Sequence, residues 1–264
     1  MTFKTLAASA ALAAACAALA APASAAMVVG LKDGKSLVWI DTDKKAVTGT
    51  VKLDGGASLV GMDVRPADGK LYGLTAAGDI VTIDPKTGKW EKKSTLSEKL
   101  PVNATSITVD FNPVADRMRI LTSTGTSLRV NVDDGKATVD GSLKYAETDS
   151  NKGKVPNVVA GGYSNSCAGT KETALYDIDM ASMSLMRQAP PNDGILVTIG
   201  KLSEPVKGPV AFDVYSDCKG MSAGWLLHSG WLSSVDLATG KTTRIGAIKG
   251  LSGKITDMAI LPAM

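Results

Sequence analysis

The segment SITVDFNPVADRMRILTSTGTSLRVNVDDGKATVDG at 106–141 constrains this chain more than any other feature. Short runs of alternating apolar and polar residues are separated by turn residues, which is the signature of consecutive β-hairpins. The pattern predicts strands over 106–111, 117–122, 127–132 and 136–139. Asn112-Pro113, Thr124-Gly125 and Asp133-Asp134-Gly135 separate them.

The unit recurs. LVGMDVRPADGKLYGLTAAGDIVTIDPKTGKW starts about 47 residues earlier, with Asp63 at the place of Asp110 and Pro66 at that of Pro113. PNVVAGGYSNSCAGTKETALYDIDMASMSLM is the third copy and has Gly162-Tyr163 at the Asp position. PVAFDVYSDCKGMSAGWLLHSGWLSSVDLATGKTTRIG is the fourth and carries Asp213. ITDMAILPAM carries Asp257 and stops after one strand. Its missing strands lie at the other end of the chain, where KSLVWIDTDKKAVTGTV at 35–51 matches the second half of a unit. A last strand that completes a sheet begun by the first ones closes a ring. Repeats of about 40 to 50 residues with four strands each are propeller blades. The expected fold is all-β: a five-bladed β-propeller of four-stranded antiparallel blades, the last blade closed by the N- and C-terminal strands. A β-sandwich with hairpins of similar length is the alternative, and the split repeat argues against it. Closure removes the two ends that an open array would expose.

Residues 1–25 stand apart from the repeats. Lys4 precedes an Ala-rich apolar run from Leu6 to Ala20, followed by Ala23-Ser24-Ala25. This is the pattern of a secretory signal peptide, cleaved before Ala26. Lipidation at Cys16 is the rival, but the apolar run continues past it. Residues 26–264 then form one domain, long enough for a substantial core. The formal charge of +3 falls to +2 without Lys4, and both signs are interspersed. Nothing in that balance suggests a nucleic-acid or membrane-surface partner. No later apolar stretch approaches the length of a membrane span. A periplasmic or secreted monomer is expected.

Several residues are candidates for chemistry. Asp63, Asp110, Asp213 and Asp257 fall at equivalent places on the inner strands and should ring the central channel. They could hold a cation such as Ca2+, or supply the carboxylate pair of glycoside chemistry. The competing reading makes each a cap on the backbone of its own turn. Repetition in blade after blade favours the fold role. Arg119 and Arg129 lie on neighbouring strands of one hairpin, beside Asn131, and could clamp a carboxylate or phosphate. The alternative pairs them with Asp116, Asp133 and the Asp ring. Cys167 and Cys218 are the cysteines left after signal removal and follow the third and fourth inner strands. One disulfide is expected, closing a loop of about 50 residues and contributing roughly 4 kcal/mol in the chain-entropy model. His228 is the only histidine, sits in the apolar run LLHSGW and is expected to be structural. RQAPPNDGIL at 187–196 is a proline-led connector. No phosphate loop, dinucleotide fingerprint or zinc motif is present.

VDFNPVADRMRI, LRVNVDDG, GGYSNS, LYDID and RQAPPNDG, in this order, resemble the bacterial family catalogued as domain of unknown function 4394, over nearly all of the chain after the leader. The resemblance implies an exported, propeller-like domain with no established activity and supplies no catalytic residue. Two departures stand out. Ser127 occupies a position where the family usually has Asn, and Gly161-Gly162 one where Ala is commoner. The combined expectation is a non-catalytic binding or protein-interaction module whose partner is a protein or small molecule. The alternative is a carboxylate-dependent, calcium-assisted hydrolase or lyase acting at the central channel.

Overall fold

The computed structural model describes residues 27–261. The leader expected over residues 1–25, including Cys16, lies outside them. The first blade holds β1 (Met27–Lys32), β2 (Ser36–Asp41) and β3 (Ala46–Lys52). The second holds β4 (Leu59–Val64), β5 (Leu71–Thr75), β6 (Asp79–Ile83) and β7 (Trp90–Thr95). The third holds β8 (Ile107–Asn112), β9 (Arg117–Thr122), β10 (Ser127–Val130) and β11 (Ala137–Val139). The fourth holds β12 (Lys144–Tyr145), β13 (Val158–Tyr163), β14 (Leu175–Asp179), β15 (Ser184–Gln188) and β16 (Ile195–Lys201). The fifth holds β17 (Val210–Ser216), β18 (Ser222–His228), β19 (Trp231–Val235) and β20 (Thr242–Ala247), after which comes β21 (Ile255–Leu261). β21 pairs antiparallel with β1, opposing Val28 to Ile260 and Val29 to Ala259, so the ring closes through the first blade as the split repeat predicts.

The inner strands β21, β4, β8, β13 and β17 pack round one axis. Apolar clusters fill the interfaces between successive blades, and the period-two pattern of the strands supplies them. Phe111, Met118 and Ile120 of the third blade, for example, meet Tyr72, Leu74 and Ile80 of the second. The fourth blade departs from the repeat. It has a fifth strand, because the chain leaving β11 crosses to its outer edge and pairs β12 parallel to β16.

The repeated outer turns explain a pattern the sequence shows at 84–88, 131–135 and 236–240. Asp84, Asn131 and Asp236 each accept a backbone N–H two residues on, as Asx turns do. The glycine that ends each turn has positive φ and abuts the preceding blade. A β-carbon on Gly135 would lie 1.9 Å from the Thr95 carbonyl oxygen, and one on Gly88 2.1 Å from that of Lys52. Asn131 is therefore a turn cap and not a member of an arginine site.

Candidate functional site

The innermost strand of each blade has an open edge, and its N–H groups point into the channel without a ladder partner. The aspartates answer this need. Asp63 Oδ2 accepts the N–H of Phe111 on the next blade at 2.8 Å, and Asp110 Oδ1 that of Tyr163 at 3.0 Å. Asp213 accepts from Ile260 at 2.7 Å and from its own neighbour Val214 at 2.6 Å. Asp257 accepts from Met62 at 2.9 Å and Met258 at 3.0 Å. These carboxyls cap the edge of the following blade, whereas the expectation had each cap its own turn.

The bonding pattern also corrects the alignment of Asp257. Asp63, Asp110 and Asp213 bond the residue that follows the ring position of the next blade, which makes Ala259 the ring residue of β21. Asp257 bonds Met62, which follows Gly61, so it lies one pleat away, level with Gly61. Consistently, Asp63, Asp110 and Asp213 bring one carboxylate oxygen each within 4.8 Å of one another, without Asp257. Gly162 fills the fourth blade's place in the ring.

All four carboxyls are buried. Burial, reinforced by neighbouring acids, holds Asp63, Asp110 and Asp257 well above the usual carboxylate range. Burial pushes Asp213 to about 6, against the pull of its two N–H donors. Three oxygens at this spacing could be bridged by a calcium ion, whose bonds are about 2.4 Å.

Above the acids lies a wider opening. A cavity of about 640 Å³ occupies the face where the inner strands begin, and all five blades line it. Its collar is made of Val60, Ile107, Val159, Val210 and Thr256, one from each inner strand. Each stands three residues before a ring position, so at about 3.3 Å per residue the acids lie roughly 10 Å deeper. The sequence reading missed this ring because aliphatic residues in strands look like core.

Arg119 and Arg129 do come together, but not on the acids expected. Arg119 is buried between the third and fourth blades. It donates to Asp140 at 2.6 Å, Ser127 at 3.0 Å, Tyr163 at 3.2 Å and Asn192 at 2.9 Å. Arg129 grips the same Asp140 through Nε at 2.7 Å and Nη2 at 2.9 Å. Asp116 and Asp133 instead face Arg65, at 2.5 and 3.5 Å. With its donors bound internally, Arg119 is an interblade clamp. The proline-led connector supplies Asn192 to it from a 3-10 turn, Pro191–Asp193. In the same interface Asp177 is wholly buried with neither oxygen hydrogen-bonded, and burial pushes it up to about 8.

Cys167 and Cys218 are disulfide-bonded and join the loops that follow β13 and β17. His228 is buried 3.8 Å from Glu204, outside hydrogen-bond distance. Ser233, which could otherwise serve as a nucleophile, donates to that same Glu204 at 2.5 Å.

The sequence matches the family described as "Domain of unknown function (DUF4394)" over residues 36–259. The chain belongs to the DUF4394 family. No curated protein matches it. Solved structures resemble it at low identity, and the first two that follow share the fold. A Bacteroides thetaiotaomicron protein of unknown function is 13% identical with a TM-score of 0.53, covering 90% of this chain and 67% of its own. A chain of the nidogen/laminin complex is 9% identical with a TM-score of 0.50, covering 89% and 98%. A Bacteroides caccae protein of unknown function is 13% identical with a TM-score of 0.46, covering 87% and 76%.

The two departures noted above lie in the third and fourth blades. Ser127 accepts from Arg119, so a shorter polar residue still serves the clamp. A β-carbon at Gly161 would lie 2.5 Å from Asp177 Oδ1. The glycine leaves room for that acid.

Proposed function

We propose that this DUF4394 protein is an exported, non-catalytic binding module that recognises its partner at the face where the inner strands begin. The observation that carries the reading is the mouth of about 640 Å³, to which every blade contributes. A rigid ring that presents loops and strand ends around one opening suits recognition. The channel carboxyls each accept at least one edge N–H, which gives them work in the fold. Export is supported by the disulfide, and a monomer is proposed because the ring closes on itself.

The second reading is a hydrolase or lyase that uses Asp63, Asp110 and Asp213 with a calcium ion. Their clustered oxygens favour it. Incubation with glycoside and ester panels tests the choice. Turnover on the order of 1 s⁻¹ or faster, lost in Asp110→Asn with an unchanged denaturation midpoint, would overturn the binding reading. Saturable binding without turnover supports it.

A further inference from the structure

We propose that the Cys167–Cys218 disulfide is a reducible latch on the joint between the fourth and fifth blades, opened by a dithiol and closed by reoxidation. The latch stands independently of the binding reading above.

Among the described residues, four of the five joints are crossed by a channel carboxyl. Asp257 of β21 reaches Met62 in the second blade, and Asp63 in the second reaches Phe111 in the third. Asp110 in the third blade reaches Tyr163 in the fourth, and Asp213 in the fifth reaches Ile260 of β21. The joint between the fourth and fifth blades is the exception. Gly162 holds the fourth blade's ring position and has no side chain to reach β17. A β-carbon there would already lie 3.2 Å from the Val214 nitrogen. The N–H of Val214, which an acid at 162 would cap, is taken by Asp213 of its own strand at 2.6 Å.

The disulfide lies on this same joint. Cys167 and Cys218 sit in the loops that follow β13 and β17, the two inner strands that no carboxyl links. Beside the bridge, the Asn165 N–H donates to Ser222 Oγ at 3.2 Å and the Ser166 N–H to Ser216 Oγ at 3.0 Å. These are neutral bonds between partly exposed groups, each worth little on its own. A covalent tie therefore occupies the joint that lacks the carboxyl cap. Farther from the axis, Ile178, Leu185 and Leu226 still pack the two sheets together. Reduction thus loosens the inner edge of one joint and leaves the ring assembled. Val159 and Val210 of the collar belong to β13 and β17, so two members of the mouth move with it.

The bridge is within reach of a reductant. Cys218 is exposed, Cys167 is half-buried, and both line a hollow of about 490 Å³. Cys218 also has φ 58°, a left-handed backbone that a residue with a β-carbon adopts at a cost. Release of the bridge lets this turn relax. The exchange balances with a dithiol as the reductant. One of its thiolates attacks a sulfur of the bridge and expels the other cysteine as a thiolate. Its second thiol then resolves the mixed disulfide, leaving two cysteine thiols on the protein and a disulfide on the reductant.

The test is reduction of the folded protein with dithiothreitol, read by intact mass and by hydrogen exchange at short labelling times, which report local opening. The mass should rise by two hydrogens, at a rate proportional to dithiothreitol concentration, as direct attack on the folded bridge requires. Exchange should rise about tenfold or more over 158–163 and 210–216 and stay unchanged over 59–64 and 107–112, whose joint Asp63 crosses. Oxidised glutathione should restore the first pattern. Cys167→Ser with Cys218→Ser should reproduce the reduced one; if that variant does not fold, reduced wild type capped with iodoacetamide serves in its place. Reduction that needs denaturant overturns the proposal, as does an equal rise in every inner strand or no rise in β13 and β17. Unfolding of the wild type on reduction also overturns it, because the bridge would then hold the whole ring and not one joint.

Discussion

Asp177 offers a prediction whose size follows from the structure. Its carboxyl is fully buried with both oxygens unbonded, and burial raises it from the ordinary 3.8 to about 8. The folded protein therefore holds this proton where the unfolded chain has released it. Linkage sets the sign: stability is full below pH about 4 and declines as pH rises towards 8. A shift of about four units at about 1.4 kcal/mol each gives ~5 kcal/mol as the upper bound of the loss. Asp177→Asn keeps the shape and cannot ionise. The variant should match the wild type near pH 4 and exceed it progressively up to pH 9. With an m-value of about 3 kcal/mol/M, the urea midpoint should then differ by about 1 to 2 M. Intrinsic tryptophan fluorescence in urea at pH 4, 7 and 9 reads this directly. The channel acids titrate in both proteins, so the difference isolates Asp177. Midpoints that stay parallel from pH 4 to 9 would refute the reasoning.

Other predictions follow from the same contacts. Arg119→Ala should destabilise by about 3 to 5 kcal/mol in urea, since it orphans buried partners, whereas Arg129→Ala at the more exposed end of the clamp should lose about 1 kcal/mol or less. Cys167→Ser with Cys218→Ser should lower stability by about 4 kcal/mol, the loop closure over a separation of 51 residues; an unchanged midpoint would contradict it. Asp213→Asn should cost about 1 to 3 kcal/mol, because its two oxygens accept two N–H groups and an amide offers only one acceptor. Asp110→Asn should be nearly neutral, because its one N–H donor needs one acceptor, which the amide oxygen keeps, and the carboxyl it replaces is held protonated by burial. Equal effects of these two substitutions would contradict that assignment.

The architecture was legible because a blade imprints its hairpins on the sequence with turn residues at fixed places, and because the broken copy sat at both ends. The cysteine pair was legible because aligned repeats put both residues after inner strands. The partners of the polar residues were not legible. Asp63 and Asp110 looked like turn caps, since a sequence carries no sign that an inner strand has an open edge with N–H groups waiting beside the next blade. Asp257 looked equivalent to them because ITDMA is the inner-strand run of its repeat and holds an acid of its own, whereas the bonding puts Ala259, two residues on, at the ring position. Arg119 and Arg129 face each other across one hairpin, but their shared acid, Asp140, lies in the crossing segment that makes the fourth blade irregular. Asn131 was read as part of that site although the same turn recurs at Asp84 and Asp236, which was the signal available. Asp177 and the aliphatic collar gave no signal, because an acid between strands and a valine in one are ordinary residues until burial and depth are known.

The central claim is that the channel carboxyls serve the fold while recognition belongs to the mouth. A calcium titration of the denaturation midpoint, in wild type and Asp110→Asn, tests it most directly. Unchanged midpoints in both proteins at millimolar calcium are expected. A wild-type midpoint that climbs with calcium concentration, as binding to the native state requires, and does not climb in Asp110→Asn would contradict the claim.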